Sequence, residues 1–214
     1  MSADKRSQLD ERRRSLGQNF LQPERADQLV DAAAFAPGEL VVEIGAGRGA
    51  LTYALARCGV EVVALEKDPE WAASLRRQVV RRDLDDRVRV VRCDALDYRM
   101  PRRPYRVIGS LPFGATTAIL RHLLDDPDSC LVRADLIVQW EVARKRAVMP
   151  PSTLLSTTWA PWWSFEVVRR IPAAAFRPQP SVDAAMLCVT RRDPPILPPR
   201  MAGPYASFVR RQWQ

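Results

Sequence analysis

A single histidine, His122, occurs in these 214 residues, so imidazole acid–base catalysis and histidine-based metal ligation have almost nothing to work with. His122 lies in the helix-like pattern TAILRHLLDD and reads as a structural position. The cysteines carry no more chemistry. Cys58, Cys93, Cys130 and Cys188 stand far apart without a C-x-x-C pair, which argues against a zinc site or a disulfide framework and for reduced thiols. No apolar run reaches the roughly 18 residues of a membrane-spanning helix. The N-terminal stretch MSADKRSQLDERRRS lacks the apolar core of a secretory signal, so a cytoplasmic protein without a membrane partner is expected. Repeats and low-complexity blocks are absent. Lysine is scarce too: of 33 basic residues, only Lys5, Lys67 and Lys145 are lysine.

What is present is arginine in excess and enough apolar residues for a core. Against 33 basic residues stand 25 acidic ones, a net charge of +8. That balance favours a polyanionic partner such as nucleic acid, although a GC-rich genome would enrich arginine in the same way. With 47% hydrophobic and 27% charged residues, the length fits one domain, or one domain and a small appendage.

Strand-like and helix-like segments alternate along the chain. PERADQLVDAAAF has a helical pattern, ELVVEIG reads as a buried strand, ALTYALARCG as a helix and VEVVALE as a strand. PEWAASLRRQVVRR (helix), RVRVVRCDAL and YRVIGSL (strands), TTAILRHLL (helix) and ADLIVQW (strand) continue the series. This alternation predicts an α/β fold with a parallel sheet covered by helices on both faces. PSTLLSTTWAPWW is ambiguous in its pattern, with the helical reading slightly ahead. SFEVVRRIP and DAAMLCVTRR form an extended pair that finishes the sheet, and DPPILPPRMAGPYASFVRRQWQ opens as a proline-rich linker and closes as a short amphipathic run. The organisation expected is a basic, flexible arm over 1–14, a catalytic domain over 15–192, and a linker with the remnant of a small helical domain over 193–214.

The segment VVEIGAGRG runs a strand into a glycine turn and a helix, with Gly45, Gly47 and Gly49 allowing close backbone approach to a nucleotide-like ligand. The glycines alone are a weak signal. Two acids sharpen it: Glu43 inside the strand, where a core strand has an apolar residue, and Glu66 at the end of the next strand, about 20 residues on, where a carboxylate reaches ribose hydroxyls. No Lys-Ser/Thr pair follows the glycines, which excludes a P-loop. A third acid, Asp94 in RCDAL, sits where it can accept from an adenine amino group. Three carboxylates at successive strand ends repel a pyrophosphate and attract a sulfonium, so S-adenosylmethionine fits better than a dinucleotide.

The fourth strand ends at SLPFG. Pro112 stiffens the corner, placing Ser110, the Leu111 carbonyl and the Phe113 ring beside the expected sulfonium. Methyl transfer to an exocyclic amine depends mainly on positioning. Acceptors for its N–H groups favour the pyramidal, nucleophilic form, and an aromatic ring holds a base extruded from its strand. Phe113 as a plain core aromatic behind a turn is the competing reading.

Together these segments resemble the ribosomal RNA adenine-N6 methyltransferases of the Erm and KsgA families. SLGQNFL resembles the N-terminal cofactor motif, VEIGAGRGALT motif I, ALEKD the ribose motif and RCDAL the adenine motif. SLPFG stands at the catalytic motif, and QWEVARKRA and FRPQPSVDAAML at further blocks, with QWEVARKRA and WAPWWSF pointing to the actinobacterial Erm branch. The resemblance implies a Rossmann-like class I S-adenosylmethionine-dependent fold with a seven-stranded, mostly parallel sheet. It implies a monomer that methylates an adenine of 23S rRNA, free or in a ribosome precursor, with resistance to macrolides, lincosamides and streptogramin B. Gln18, Asn19 and Leu21 would touch the methionine part, Gly45, Gly47 and Lys67 the cofactor, Glu66 the ribose, and Asp94 and Ala95 the adenine. Ser110, Leu111, Pro112 and Phe113 would form the catalytic corner, with Ser110 also at the cofactor. Phe113 and Phe176 would hold the base, and Arg12, Arg13, Arg14, Lys145 and Arg146 would bind RNA. Ser110 replaces the usual asparagine. A KsgA-like enzyme acting on 16S rRNA, or a non-catalytic nucleic-acid binder of the same fold, are the alternatives.

Overall fold

The computed structural model describes residues 19–213. Its main sheet is formed by β2 (Leu40–Ile44), β3 (Glu61–Glu66), β4 (Val88–Arg92), β5 (Tyr105–Ser110), β6 (Leu131–Gln139), β7 (Trp163–Ile171) and β9 (Ala184–Arg191), in the order β4-β3-β2-β5-β6-β9-β7. The strands from β4 to β6 pair in parallel, and β9 is antiparallel to both β6 and β7. A second, two-stranded sheet joins β1 (Phe20–Leu21) to β8 (Phe176–Arg177). The helices are α1 (Pro23–Ala33), α2 (Ala50–Arg57), α3 (Pro69–Arg81), α4 (Thr116–Leu124), α5 (Trp140–Ala147), α6 (Leu154–Trp159) and α7 (Ala202–Gln212). Among the described residues no helix is long and apolar enough to cross a membrane.

The apolar runs of the central strands have the composition of strands buried on both faces. Val41, Val62, Ala64 and Ile108 enter the core under α1, α2 and α3, while Val42, Val63, Leu65 and Val107 enter the core on the other face. The period of two thus feeds two cores from each strand. Pro69 at the first helical position and Asp68 at the cap start α3, with the Asp68 carboxylate accepting from the Glu70 and Trp71 N–H groups at 2.8 and 3.2 Å.

Two expected strands have different limits. RCDAL does not continue β4: the Asp94 carboxylate accepts from the Leu96 N–H at 3.0 Å, a local side-chain turn that diverts the backbone from the ladder after Arg92. At the other strand, Trp140 belongs to α5 rather than β6.

The segment after β9 lies against the rest of the protein. The Trp162 indole N–H donates to the Leu197 carbonyl at 2.8 Å, and its ring meets Tyr205 of α7 edge-on at 5.9 Å. Trp159 and Trp163 are fully buried, and their indole N–H groups donate to Asp125 and to the Leu124 carbonyl. Each ring thus buries its apolar body while its one donor is satisfied.

A buried ion network bolts α1 to the sheet. Arg106 of β5, 7% exposed, donates to the Ala33 carbonyl at 2.7 Å and to Asp135 of β6 at 2.9 Å, and Asp135 is fully buried. Arg133 also pairs with Asp135 at 2.7 Å. The guanidinium therefore satisfies a carbonyl that the helix end leaves without a partner. Asp135→Ala removes the buried carboxylate that Arg106 and Arg133 share and leaves Arg106 only the partly exposed Glu39 at 3.3 Å, and the expected cost is about 3–5 kcal/mol in urea-unfolding free energy. A loss below about 1 kcal/mol would show that the network behaves as an exposed ion pair.

Candidate active site

The order of strands reverses between β2 and β5, and open parallel sheets bind ligands in the crevice beyond the carboxyl ends at such a point. A cavity of about 510 Å3 lies there, lined by Asn19, Phe20 and Leu21, by the turn after β2, by the ends of β3 and β5, and by Phe176. At Gly47, φ is +52° and a Cβ would sit 3.0 Å from the Phe20 ring. At Gly45, φ is +75° and a Cβ would lie 3.3 Å from the Ser110 carbonyl oxygen. Side chains there would fill the space between the turn and its neighbours, which is the physical need the glycines meet.

The three acids differ in state. Glu66, 8% exposed, accepts from the Gly47 N–H at 2.7 Å through one oxygen and from the Asp68 N–H at 2.8 Å through the other. Burial raises its carboxyl, with the backbone bonds opposing. Glu43, 1% exposed, accepts from the Thr52 hydroxyl at 2.5 Å. Burial, reinforced by the charge of Glu66, pushes Glu43 up to about 8, so at neutral pH it is mostly protonated. Asp94 is held below the usual carboxylate range by the Lys67 ammonium 2.7 Å away. The three free negative charges expected from the sequence are thus reduced: one is neutralised by burial and one is paired. Lys67, expected at the cofactor, lines the cavity, is 78% exposed in its side chain and is directed to Asp94.

At the end of β5 the backbone turns sharply. The Leu111 N–H donates to the Ile137 carbonyl at 3.0 Å, and the Pro112 carbonyl accepts from the Ala115 N–H at 2.9 Å and the Thr116 hydroxyl at 3.2 Å. Ser110 and Phe113, both half-buried, and Ala95 line the cavity. Phe176 lines it too, but it is 3% exposed and packs within the core beneath α1. The expected pair of base-holding rings is therefore unequal: Phe113 stands partly open and Phe176 forms part of the wall.

Gln18, Arg12, Arg13 and Arg14 lie outside the described residues. Lys145 is exposed on α5, whereas Arg146, expected beside it on an RNA face, turns inward. Its guanidinium donates to the Thr153 hydroxyl at 2.8 Å and lies 5.7 Å from the Trp159 ring centroid. Its proximity to Trp159 explains the turn, since an arginine stem and plane cover aromatic surface well. His122 is exposed and bonded to the Tyr98 carbonyl, away from the cavity lining.

One group at the cavity has no local signal in the sequence. Arg48 lies over the rings of Phe20 and Trp71, at 4.7 and 5.1 Å, and these two rings meet edge-on at 5.0 Å. Phe20 reaches this place because β1 is stapled to β8, with Leu21 opposite Phe176.

A pH dependence follows from Glu43. Its folded pKa of about 8 lies above the ordinary glutamate value of 4.5, so the folded state holds a proton that the unfolded chain has released. The stabilisation is present at low pH and is lost as pH rises from about 4.5 to about 8. Glu43→Gln, which keeps an acceptor for Thr52, is expected to flatten the decline in melting temperature over that window. Parallel curves for the two proteins would mean that Glu43 is ionised throughout.

Comparison with known proteins agrees with this geometry. The family profile of ribosomal RNA adenine dimethylases matches residues 9–213. Over 194 residues the chain is 39% identical to an rRNA adenine N-6-methyltransferase of Corynebacterium diphtheriae, covering 90% of this chain and 74% of that protein. Over 199 residues it is 39% identical to the mycinamicin-resistance protein MyrB of Micromonospora griseorubida, covering 92% of this chain and 62% of that one. Among solved structures, the 23S rRNA methyltransferase ErmE superposes with a TM-score of 0.79 at 30% identity, over 90% of this chain and 78% of that one. A dimethyladenosine transferase from Plasmodium falciparum, 18% identical with a TM-score of 0.73 over 82% of this chain and 64% of that one, shares the fold. The sheet of seven strands, mostly parallel, is the Rossmann-like methyltransferase fold expected from the sequence. With its cavity at the strand ends and a family match spanning nearly its whole length, the chain belongs to the ribosomal RNA adenine dimethylase family.

Proposed function

We propose that this protein transfers a methyl group from S-adenosylmethionine to N6 of an adenine in 23S rRNA, the modification that gives resistance to macrolides, lincosamides and streptogramin B. The observation that carries the reading is the single cavity in which the Ser110–Phe113 corner faces the glycine turn, Glu66 and Asp94. A methyl donor of S-adenosylmethionine type belongs to a methyltransferase family, and the donor set here suits it. Glu66 offers a buried carboxylate for ribose hydroxyls, Asp94 an acceptor for an adenine amino group, and Gly45 and Gly47 a cradle that a Cβ would fill. When bound, the cofactor supplies an activated methyl group.

The chain's own residues do the rest. Phe113 presents a half-buried ring at the cavity and stacks on the flipped base. The Ser110 hydroxyl and the Leu111 carbonyl accept from the amine's N–H groups, drawing its lone pair out of conjugation and towards the methyl. The Pro112 turn holds these acceptors in one geometry, which is where most of the rate gain arises. No strong base is needed, because the amine becomes acidic as it is methylated. Exposed Lys145 on α5 and the arginines at 12–14 supply charge for the RNA backbone.

Three measurements test this. Mapping methylated adenines by mass spectrometry after expression in a naive host should find them in 23S rRNA, whereas sites confined to 16S rRNA would assign a KsgA-like role. Glu66→Ala removes charge-assisted bonds worth about 1.5–3 kcal/mol each and should weaken S-adenosylmethionine binding at least tenfold by calorimetry; an unchanged constant in a folded variant rules out the ribose role. Phe113→Ala should slow methylation about 5- to 150-fold, the equivalent of about 1–3 kcal/mol of stacking, with cofactor affinity intact and Phe113→Tyr nearly neutral. A Phe113→Ala protein that melts far earlier yet methylates normally would instead make Phe113 a core residue.

A further inference from the structure

Three separate segments of the chain meet at one side of the large cavity. Phe20 comes from β1, Arg48 from the glycine turn and Trp71 from the first turn of α3. The Arg48 guanidinium carbon lies 4.7 Å from the Phe20 ring centroid and 5.1 Å from that of Trp71. The two rings meet edge-on at 5.0 Å, so a single planar cation is shared between two aromatic rings. Gly47 admits the Phe20 ring, because a Cβ there would fall 3.0 Å from two of its carbons. Phe20 and Arg48 line the cavity, whereas Trp71 lies outside the lining.

β1 depends on such ties. Its pairing with β8 covers two residues, and so short a pair of strands is marginal by itself. Leu21 is buried in the core, and Gln22 donates from its backbone to the Ala175 carbonyl at 3.0 Å and from its side chain to the Ala174 carbonyl at 2.7 Å. These contacts hold β1 to the segment around β8. The stack holds it to the glycine turn and to α3, on the other side.

With adenine at Asp94 and ribose at Glu66, the amino-acid end of the cofactor runs past the glycine turn, where Asn19 and Leu21 line the same cavity. We propose that Arg48 and Trp71 are positioning residues for the methyl donor: their stack on Phe20 holds Asn19 and Leu21 against the amino-acid end of S-adenosylmethionine. The inference rests on the proposed cofactor and adds to it a residue outside the cavity. A wall that is in place only part of the time binds with an affinity reduced by that fraction. Arginine suits the position because its plane covers an aromatic face while its donors stay at the edge.

The test measures, by calorimetry on the full chain, the binding of S-adenosylmethionine and of 5′-methylthioadenosine, which keeps adenine and ribose and lacks the amino-acid end. Trp71→Leu removes one ring and should weaken S-adenosylmethionine binding about 2- to 5-fold, the equivalent of one exposed cation–π contact. Binding of 5′-methylthioadenosine should stay at its wild-type value. In methylation the KM for the cofactor should rise by the same factor, with kcat changed less than about twofold. Trp71→Phe, which restores a ring, should recover the affinity. Arg48 is exposed, so Arg48→Gln tests the same link without disturbing the core and should weaken binding at least as much. Adding Trp71→Leu to Arg48→Gln should then cost less than it does alone, because the shared contact is already gone. If Trp71→Leu weakens both ligands alike, or neither, while the wild type binds S-adenosylmethionine, the stack is packing alone and the proposal fails. If the wild type does not bind S-adenosylmethionine, the cofactor reading itself falls, and the role proposed here falls with it.

Discussion

Gly109 lets β5 lie against β2: a Cβ there would fall 2.5 Å from the Ile44 carbonyl oxygen, closer than any side chain can be. The close pairing of these two strands brings Ser110 level with the glycine turn, and the pairing of β2 with β3 does the same for Glu66. The glycine turn, Glu66 and the Ser110–Phe113 corner are then strand ends or the loops after them. The cavity is therefore a consequence of sheet register, and the two cores on either face of the sheet hold that register in place.

Charge is buried in three places, and each is handled differently. Arg106 and Asp135 pair directly, and the further bonds from Arg106 to the Ala33 carbonyl and from Arg133 to Asp135 offset part of the desolvation. Glu43 has no cationic partner and is neutralised by burial, keeping one bond to Thr52. Glu66 lies between these cases, its two oxygens held by the amides of Gly47 and Asp68. Those amide bonds set the Glu66 carboxylate at the floor of the turn and fix where it can meet a ligand, which is the kind of preorganisation a binding site requires.

Segments far from the glycine turn in sequence complete the site. β1 crosses to β8, so Phe20 and Leu21 from one end of the chain and Phe176 from the other close the same wall. The tryptophans at 159, 162 and 163 anchor the opposite flank, where α7 packs against α6 through Tyr205 and Trp162. Because each indole donor finds its own acceptor, this flank is both apolar and satisfied, and it fixes the relation of the C-terminal helix to α4.

Much of this was legible in the sequence, for local reasons. The alternation of strands and helices, the glycine turn, the acids at 43, 66 and 94 and the proline corner are each written within a few residues, because backbone conformation and period are local properties. The helical pattern TTAILRHLL coincides with α4. What the sequence left undecided depends on partners distant along the chain. Arg106 sits in a strand as one more arginine, and only the arrival of Ala33 and Asp135 makes it a buried bolt. Arg146 and Lys145 are neighbours with the same charge, yet the Trp159 ring and Thr153 draw one inward and leave the other in solvent. Lys67 turns to Asp94, and Arg48 settles over Phe20 and Trp71, by the same rule. The sequence by itself determined which elements form and where the ligand-facing turns lie; the tertiary structure alone decided which charges are buried, paired or free, since that follows from three-dimensional proximity and no local pattern encodes it.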